Sequence, residues 1–260
     1  MVILLKKIKL LFCLSLALVV FQAPAVFAID YFETKISEEE KVIIAFFRAA
    51  NIAPDYDRWI KLGDAYLGTP KRLRDDFFLE EQLRLGRGYA AFDKDKDFLE
   101  ITAPVIAKLV TNDDDAEARI QFSFFQSKEN YTPSFDFRYV KNEVISLIVN
   151  RLAVFSDLPV SGEKLDTMRS KVPMENDWFG VDLVMKVQVA SADYEKPRDD
   201  RGILQWVMVG EIAYIKCIFK ERHDSEFVLW DYVAPWYENA YNEENMPEEE
   251  KYPHPFDLYK

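Results

Sequence analysis

The sequence predicts an α+β fold: N-terminal helices packed on an antiparallel sheet, ending in a β-meander. Three observations predict it. Over residues 37–86, apolar side chains recur at helical spacing between capping signals; from residue 98 the period drops to two; and three apolar runs between 181 and 233 are separated by polar connections. The helices are too few to enclose a core alone. The helical layer (about 37–86) and the β-rich part (about 98–233) therefore belong to one domain, residues 29–237.

Residues 1–28 read as a signal peptide. Lys6, Lys7 and Lys9 precede the apolar run "LLFCLSLALVVF", and "QAPAVFA" supplies the small residues for cleavage after Ala28, with Ala25 as the second choice. The run holds 12 residues before Gln22 and Pro24, short of the roughly 20 that a membrane span requires. An uncleaved N-terminal anchor is the minority alternative. Cys13 follows Phe12, which does not suit a lipoprotein signal. The expected location is outside the cytoplasm, best a periplasm, because a secreted chain keeping only Cys217 after cleavage forms no internal disulfide. Cys217 lies among apolar neighbours and reads as a buried thiol.

Residues 1–28 contain three of the 33 basic side chains and none of the 45 acidic ones, so the remainder is more acidic than the whole chain's formal −12. Such a surface repels phosphate backbones, which excludes nucleic acid as an expected partner.

"ISEEEKVIIAFFRAAN" opens with Ser37 and Glu40, a capping box, followed by Val42, Phe46 and Ala49 on one face. "DYDRWIKLGDAYLG" reads as one helix with Tyr56, Ile60 and Leu67 aligned and Gly68 at its end. "TPKRLRDDFFLEEQLRLG" has Thr69 as cap, Pro70 in the first turn and Gly86 as the stop. "LEITAPVIAKL" and "ARIQFSFFQ" alternate across the turn "TNDDDAE" and read as a hairpin, and "SFDFRYV" is a weaker strand. "NEVISLIVNRLAVF" is ambiguous. Val144, Ile148, Leu152 and Phe155 stack at helical spacing, while its Val and Ile content suits a strand; the spacing narrowly favours helix. "VDLVMKVQV", "ILQWVMVGEIAYIKCIF" and "EFVLWDYV" make the meander, with "DYEKPRDDRG" as a longer first loop. Residues 238–260 form an acidic, proline-bearing tail without a packing pattern, able to dock on an envelope protein.

Motifs for chemistry are weak. Asp93, Asp95 and Asp97 imitate the start of a calcium loop, but Phe98 stands where the sharp turn needs glycine and Pro104 where a bidentate glutamate belongs. His223 and His254 are isolated, so no metal and no cofactor is expected. Ser161 and Lys164 match Ser-x-x-Lys without its partner motifs, and a helix cap explains Ser161.

Two features remain as site candidates. Glu211 interrupts an otherwise apolar strand, where a carboxylate must be exposed, hydrogen-bonded or shifted in pKa. It is the one candidate acid for a hydrolase of envelope carbohydrate or peptide; a bulge at Gly210 or a cross-strand Lys or Arg is the structural account. Trp178, Trp206, Trp230 and Trp236 fall in the β-rich part, where rings serve as core or as a ligand platform. The function these readings imply is non-catalytic: a secreted or periplasmic protein that binds or assembles with another envelope component.

Overall fold

The structure is a computed structural model that describes residues 35–111, 118–122, 134–220 and 226–246. In chain order come helices α1 (Glu38–Ala49), α2 (Tyr56–Lys61), α3 (Asp64–Gly68) and α4 (Arg74–Ala91), then strands β1 (Leu99–Thr111), β2 (Ala118–Phe122), β3 (Ser134–Val140), β4 (Glu143–Asn150) and β5 (Asp157–Val160). Helix α5 (Gly162–Lys171), strands β6 (Trp178–Asp200), β7 (Ile203–Lys220) and β8 (Glu226–Val233), and helix α6 (Glu238–Asn245) complete the chain. The signal segment, Asp113 to Asp115, His223 and His254 lie outside the described residues.

The expected fold class is corrected by the sheet. Its eight strands run β3-β4-β7-β6-β1-β2-β5, with β8 added to β7, and β4 lies parallel to β7, so the sheet is mixed and not antiparallel. The helices do not form an N-terminal layer across it. Of the first four, α1 meets the most strands; α2 packs on β3 and reaches β4 through Arg58 and Glu143, and α4 packs on α1 and α2. A second helix, α5, seals a separate region of the core far along the chain, and the described chain ends in α6 rather than in a strand.

β6 and β7 form the spine. The two-residue turn Arg201–Gly202 joins them, both residues with positive φ as a hairpin of this type requires. The "DYEKPRDDRG" stretch is therefore strand and not loop. Its surplus is absorbed by a bulge over residues 194–197 that lets Tyr194 fold back onto Trp206, the rings stacked at 4.6 Å and 13°. β7 has β6 along one edge and two successive neighbours along the other: β4 beside Leu204–Glu211, then β8 beside Tyr214–Lys220. The sheet thus forks between Glu211 and Tyr214.

β4 corrects the helical reading of residues 142–155. With β3 it forms a hairpin whose turn is Lys141–Asn142, Asn142 taking the left-handed conformation. A parallel strand covered on both faces carries apolar residues in both phases, which mimics a helix in projection. Only Leu152–Phe155 turn, as a short 3-10 segment.

α1 shows why it is buried. Ser37 Oγ accepts from the Glu40 N–H at 3.2 Å and Glu40 Oε2 from the Ser37 N–H at 2.9 Å, so the capping box forms. Beyond it Val42–Phe47 are buried on every side, not along one face. A helix apolar all round must be enclosed, and β1, β3, β4, β6 and α4 enclose it. Arg84 of α4 grips Glu40 with both terminal nitrogens. Burial raises the Glu40 carboxyl, but the hydrogen bonds from Arg84 and Ser37 outweigh it and hold the group below the ordinary carboxylate range.

The remaining helices depart from their sequence reading. Residues 55–68 break into α2 and α3 at Leu62–Gly63, leaving Leu67 exposed. α4 begins after a 3-10 turn (Lys71–Leu73) and runs through Gly86 to Ala91, so Gly86 is not its stop. Thr69 does not cap it; its hydroxyl donates to the Ala65 carbonyl.

Cys217 sits in the second core, among Leu183, Phe179 and Leu229, and burial, with a smaller contribution from the Asp182 carboxylate, pushes its thiol up to about 12. The thiolate is the nucleophile, so the native protein at pH 8 is expected to resist alkylation by iodoacetamide. Mass spectrometry of residues 29–260, which hold Cys217 but not Cys13, before and after denaturation checks this: one added group only after unfolding is the expected result, and rapid native labelling would contradict the burial.

Candidate functional site

Glu211 lies at the fork of the sheet, opposite Asn150 on β4 and Gln188 on β6. It is exposed, and among the described residues its carboxylate makes no hydrogen bond or ion pair. The bulges near it are at Ala190 in β6 and Ala213 in β7, not at Gly210, so neither Gly210 nor a cross-strand cation accounts for its orientation. Gly210 has a different role. A Cβ there would stand 2.3 Å from Val187 Cγ1 and 3.2 Å from the Gln188 carbonyl, so glycine is required for close packing.

The fork opens a small cavity of about 170 Å³, lined by Arg151, Phe155, Glu211, Tyr232 and Trp236 among others. Trp236 is half exposed and stacks on Phe98 at 6.4 Å. Of the four tryptophans the sequence singles out, the structure brings only this one to Glu211. Trp230 stands behind it, its ring 5.1 Å from Phe155 and packed into the second core. Trp178 pairs with Lys108 across β1 and β6, the ammonium 5.7 Å from the ring centroid. Trp206 belongs to another cluster altogether. Among the described residues Glu211 is the only carboxylate lining the fork cavity, so they do not assemble the two-carboxylate arrangement of a glycoside hydrolase there.

The carboxylate most removed from water among the described residues is Glu143, which no sequence signal singled out. It sits at the β3–β4 turn, 3% exposed, bonded to the Arg58 guanidinium from α2 and approached by the Trp206 indole N–H at 3.4 Å. Phe46, Phe47, Trp59, Tyr139 and Tyr194 surround this group with ring centroids 5.3–6.5 Å apart. Burial, then the Asp55 charge, raise the Tyr139 hydroxyl well above its ordinary value. No fully buried side-chain nitrogen or oxygen among the described residues lacks a hydrogen-bond partner, and the Arg58–Glu143 pair joins α2 to the sheet as a structural clamp. Glu143 and its partner Arg58, 85 positions apart in the chain, gave no periodic signal by which to find them.

The Asp93–Asp97 turn closes on itself. Asp93 Oδ1 accepts from the Asp95 N–H at 3.1 Å and Asp97 Oδ2 from the Asp93 N–H at 2.7 Å, with Lys96 beside Asp93 at 3.2 Å. Ser161 stands at the start of α5 without a side-chain capping bond, and Lys164 donates to the Leu229 carbonyl at 3.1 Å. The two do not form a nucleophile–base pair.

A larger opening lies elsewhere. β1 pairs with β6 throughout Leu99–Lys108, but β2 joins its other edge only from Ala107, so the edge of residues 99–106 has no strand partner among the described residues. Among the described residues β3 pairs with β4 alone. Residues of both strands and of the first turn of α1 line a slot of about 620 Å³. Inward-facing Ile101, Ala103, Phe135 and Phe137 form its floor, and exposed Glu38, Glu39, Glu100 and Asp136 stand at its rim.

Among the described residues no helix is long and apolar enough to cross a membrane. No protein-family model matches the chain, and no curated protein or solved structure matches it either.

Proposed function

We propose that the chain is a secreted or periplasmic, non-catalytic protein of the cell envelope that binds or assembles with another envelope component. The observation that carries this reading is the slot between β1 and β3. Free strand edges are templates for pairing, and soluble proteins normally cover, shorten or charge them. Here the edges of β1 and β3 have no further strand partner among the described residues and line one opening with an apolar floor, an arrangement that suits reception of a partner's chain better than the turnover of a small substrate. The leader-like first 28 residues and the acidic balance support an extracytoplasmic site of action away from nucleic acid.

The acidic tail enters this reading with a later start than its composition suggests. Residues 238–245 are helix α6, held by a Lys186–Glu244 ion pair at 2.5 Å and by Tyr241 against Tyr214 at 5.1 Å. The test is retention from envelope extract on immobilised residues 29–260, beside the same chain ending at residue 246 and an acidic control protein of similar size. A component held by both forms and not by the control is the expected result. Retention by the longer form alone would move the interface to the tail. Retention no greater than the control's would remove the reading.

A further inference from the structure

We infer that the cavity at the fork of the sheet binds a free α-amino acid with an apolar side chain, its ammonium on Glu211 and its carboxylate on Arg151. The inference goes beyond the binding reading above and does not depend on it, because β4, β7, β8 and the residues that follow β4 and β8 line this cavity. Charge supplies the first reason. Among the described residues Glu211 is the one acid and Arg151 the one base that line a cavity of about 170 Å³. They do not pair with each other, and neither side chain has a hydrogen bond or ion pair among the described residues. The cross-strand neighbour of Glu211, Gln188, is committed elsewhere, its amide donating to the Asp95 carbonyl at 2.9 Å. One wall thus carries an acceptor-only carboxylate and another a donor-only guanidinium. A molecule bearing both charges bridges them, its carboxylate suited to the planar fork of an arginine.

The backbone supplies the second. β4 ends at Asn150, opposite Glu211, and β8 joins β7 only from Tyr214. Arg151 turns the chain out of β4 in the left-handed conformation, φ 62° and ψ 10°, into the 3-10 segment whose last residue, Phe155, lines the cavity. Apart from Arg201 in the β6–β7 turn, the other described non-glycine residues with positive φ are Asn or Asp, which adopt it readily. An arginine held there is fixed by its surroundings, a feature that gathers at ligand sites.

The remaining walls define the side chain of the ligand. The Phe155 and Tyr232 rings stand 5.1 Å apart, and Trp230 backs Phe155 at 5.1 Å, so this wall is set before any ligand arrives. Trp236, half exposed and stacked on Phe98, supplies a further aromatic face, with Ile212 and Ala234 beside it. The cavity is close in size to one of roughly 150 Å³ that holds benzene. It therefore admits a phenylalanine or leucine side chain against the rings, with the zwitterionic head at the charged walls. Convergent polar groups of this kind on an apolar concavity are the usual form of a small-molecule site.

The test is calorimetric titration of residues 29–260 with phenylalanine, leucine, phenylpropionate, which lacks the ammonium, and phenylalaninamide, which lacks the carboxylate. Both amino acids should bind saturably, and each deleted analogue should bind about tenfold more weakly than phenylalanine, the loss expected for one charged hydrogen-bonding partner. Glu211→Gln and Arg151→Gln alter exposed side chains, with circular dichroism and melting temperature as controls on folding. Glu211→Gln should weaken phenylalanine by about tenfold and leave phenylpropionate unchanged, whereas Arg151→Gln should weaken phenylalanine alike and leave phenylalaninamide unchanged. No saturable binding of either amino acid, analogues bound as well as phenylalanine, or variants that treat all four compounds as the parent does would each overturn the inference. Failure of capture from envelope extract defeats the binding reading and leaves this result standing, so the two fall separately.

Discussion

Gly210→Ala is expected to destabilise the protein by roughly 2–3 kcal/mol, the range for overpacking a rigid interior. The added methyl would lie 2.3 Å from Val187 Cγ1, 3.2 Å from the Gln188 carbonyl and 3.3 Å from Leu147 Cδ1. Relief is difficult because Val187 and Leu147 are fully buried, and valine has little rotamer freedom in a strand. Gly210 also sits between two ladders, opposite Val149 on β4 and Val189 on β6, so a shift of β7 would disturb both neighbours. Urea denaturation checks the value: a lower midpoint with an unchanged slope is expected. The second-site change Val187→Ala should recover part of the loss by vacating the colliding atom, although it leaves a cavity of its own. A Gly210→Ala protein as stable as the parent would mean that β4, β6 and β7 do not approach as described.

Arg58→Ala is expected to cost about 2 kcal/mol at neutral pH, below the 3–5 kcal/mol typical of a fully buried pair because Arg58 itself is nearly half exposed. The loss arises on the other side of the pair. Glu143 stays buried and keeps only the Trp206 N–H as a partner, so a carboxylate taken from water is left without its cation. Urea denaturation of both proteins at pH 7 checks the value: a lower midpoint for the variant is expected. A variant as stable as the parent would mean that Arg58 and Glu143 do not pair as described.

Local signals along the chain were legible where a few neighbouring residues decide the outcome. The Ser37–Glu40 capping box, the alternation of β1 across Pro104, and the burial of Cys217 all follow from near neighbours and from side-chain period. The break at Leu62–Gly63 and the persistence of α4 through Gly86 were not legible, because an isolated glycine is compatible with either a stop or a continuing helix. β4 was misread for a physical reason: burial on both faces erases the period of two, and the parallel partner that covers it, β7, lies about sixty residues on. The same holds for the candidate site. Glu211 was visible as a charge in an apolar run, but the more buried acid, Glu143, is defined by an arginine 85 positions away.

By itself the sequence determined composition, charge balance, the leader-like start, the caps, and which stretches could become strand or helix, because these depend on residue type and short spacing. Tertiary structure decided the mixed sheet, the fork that leaves Glu211 at the surface, the enclosure of Arg58 and Glu143 among aromatic rings, and the slot between β1 and β3. Each of these is set by which strand edges meet. An edge's hydrogen-bonding capacity is the same for nearly every residue, so the choice among partners is made by the packing of the whole chain.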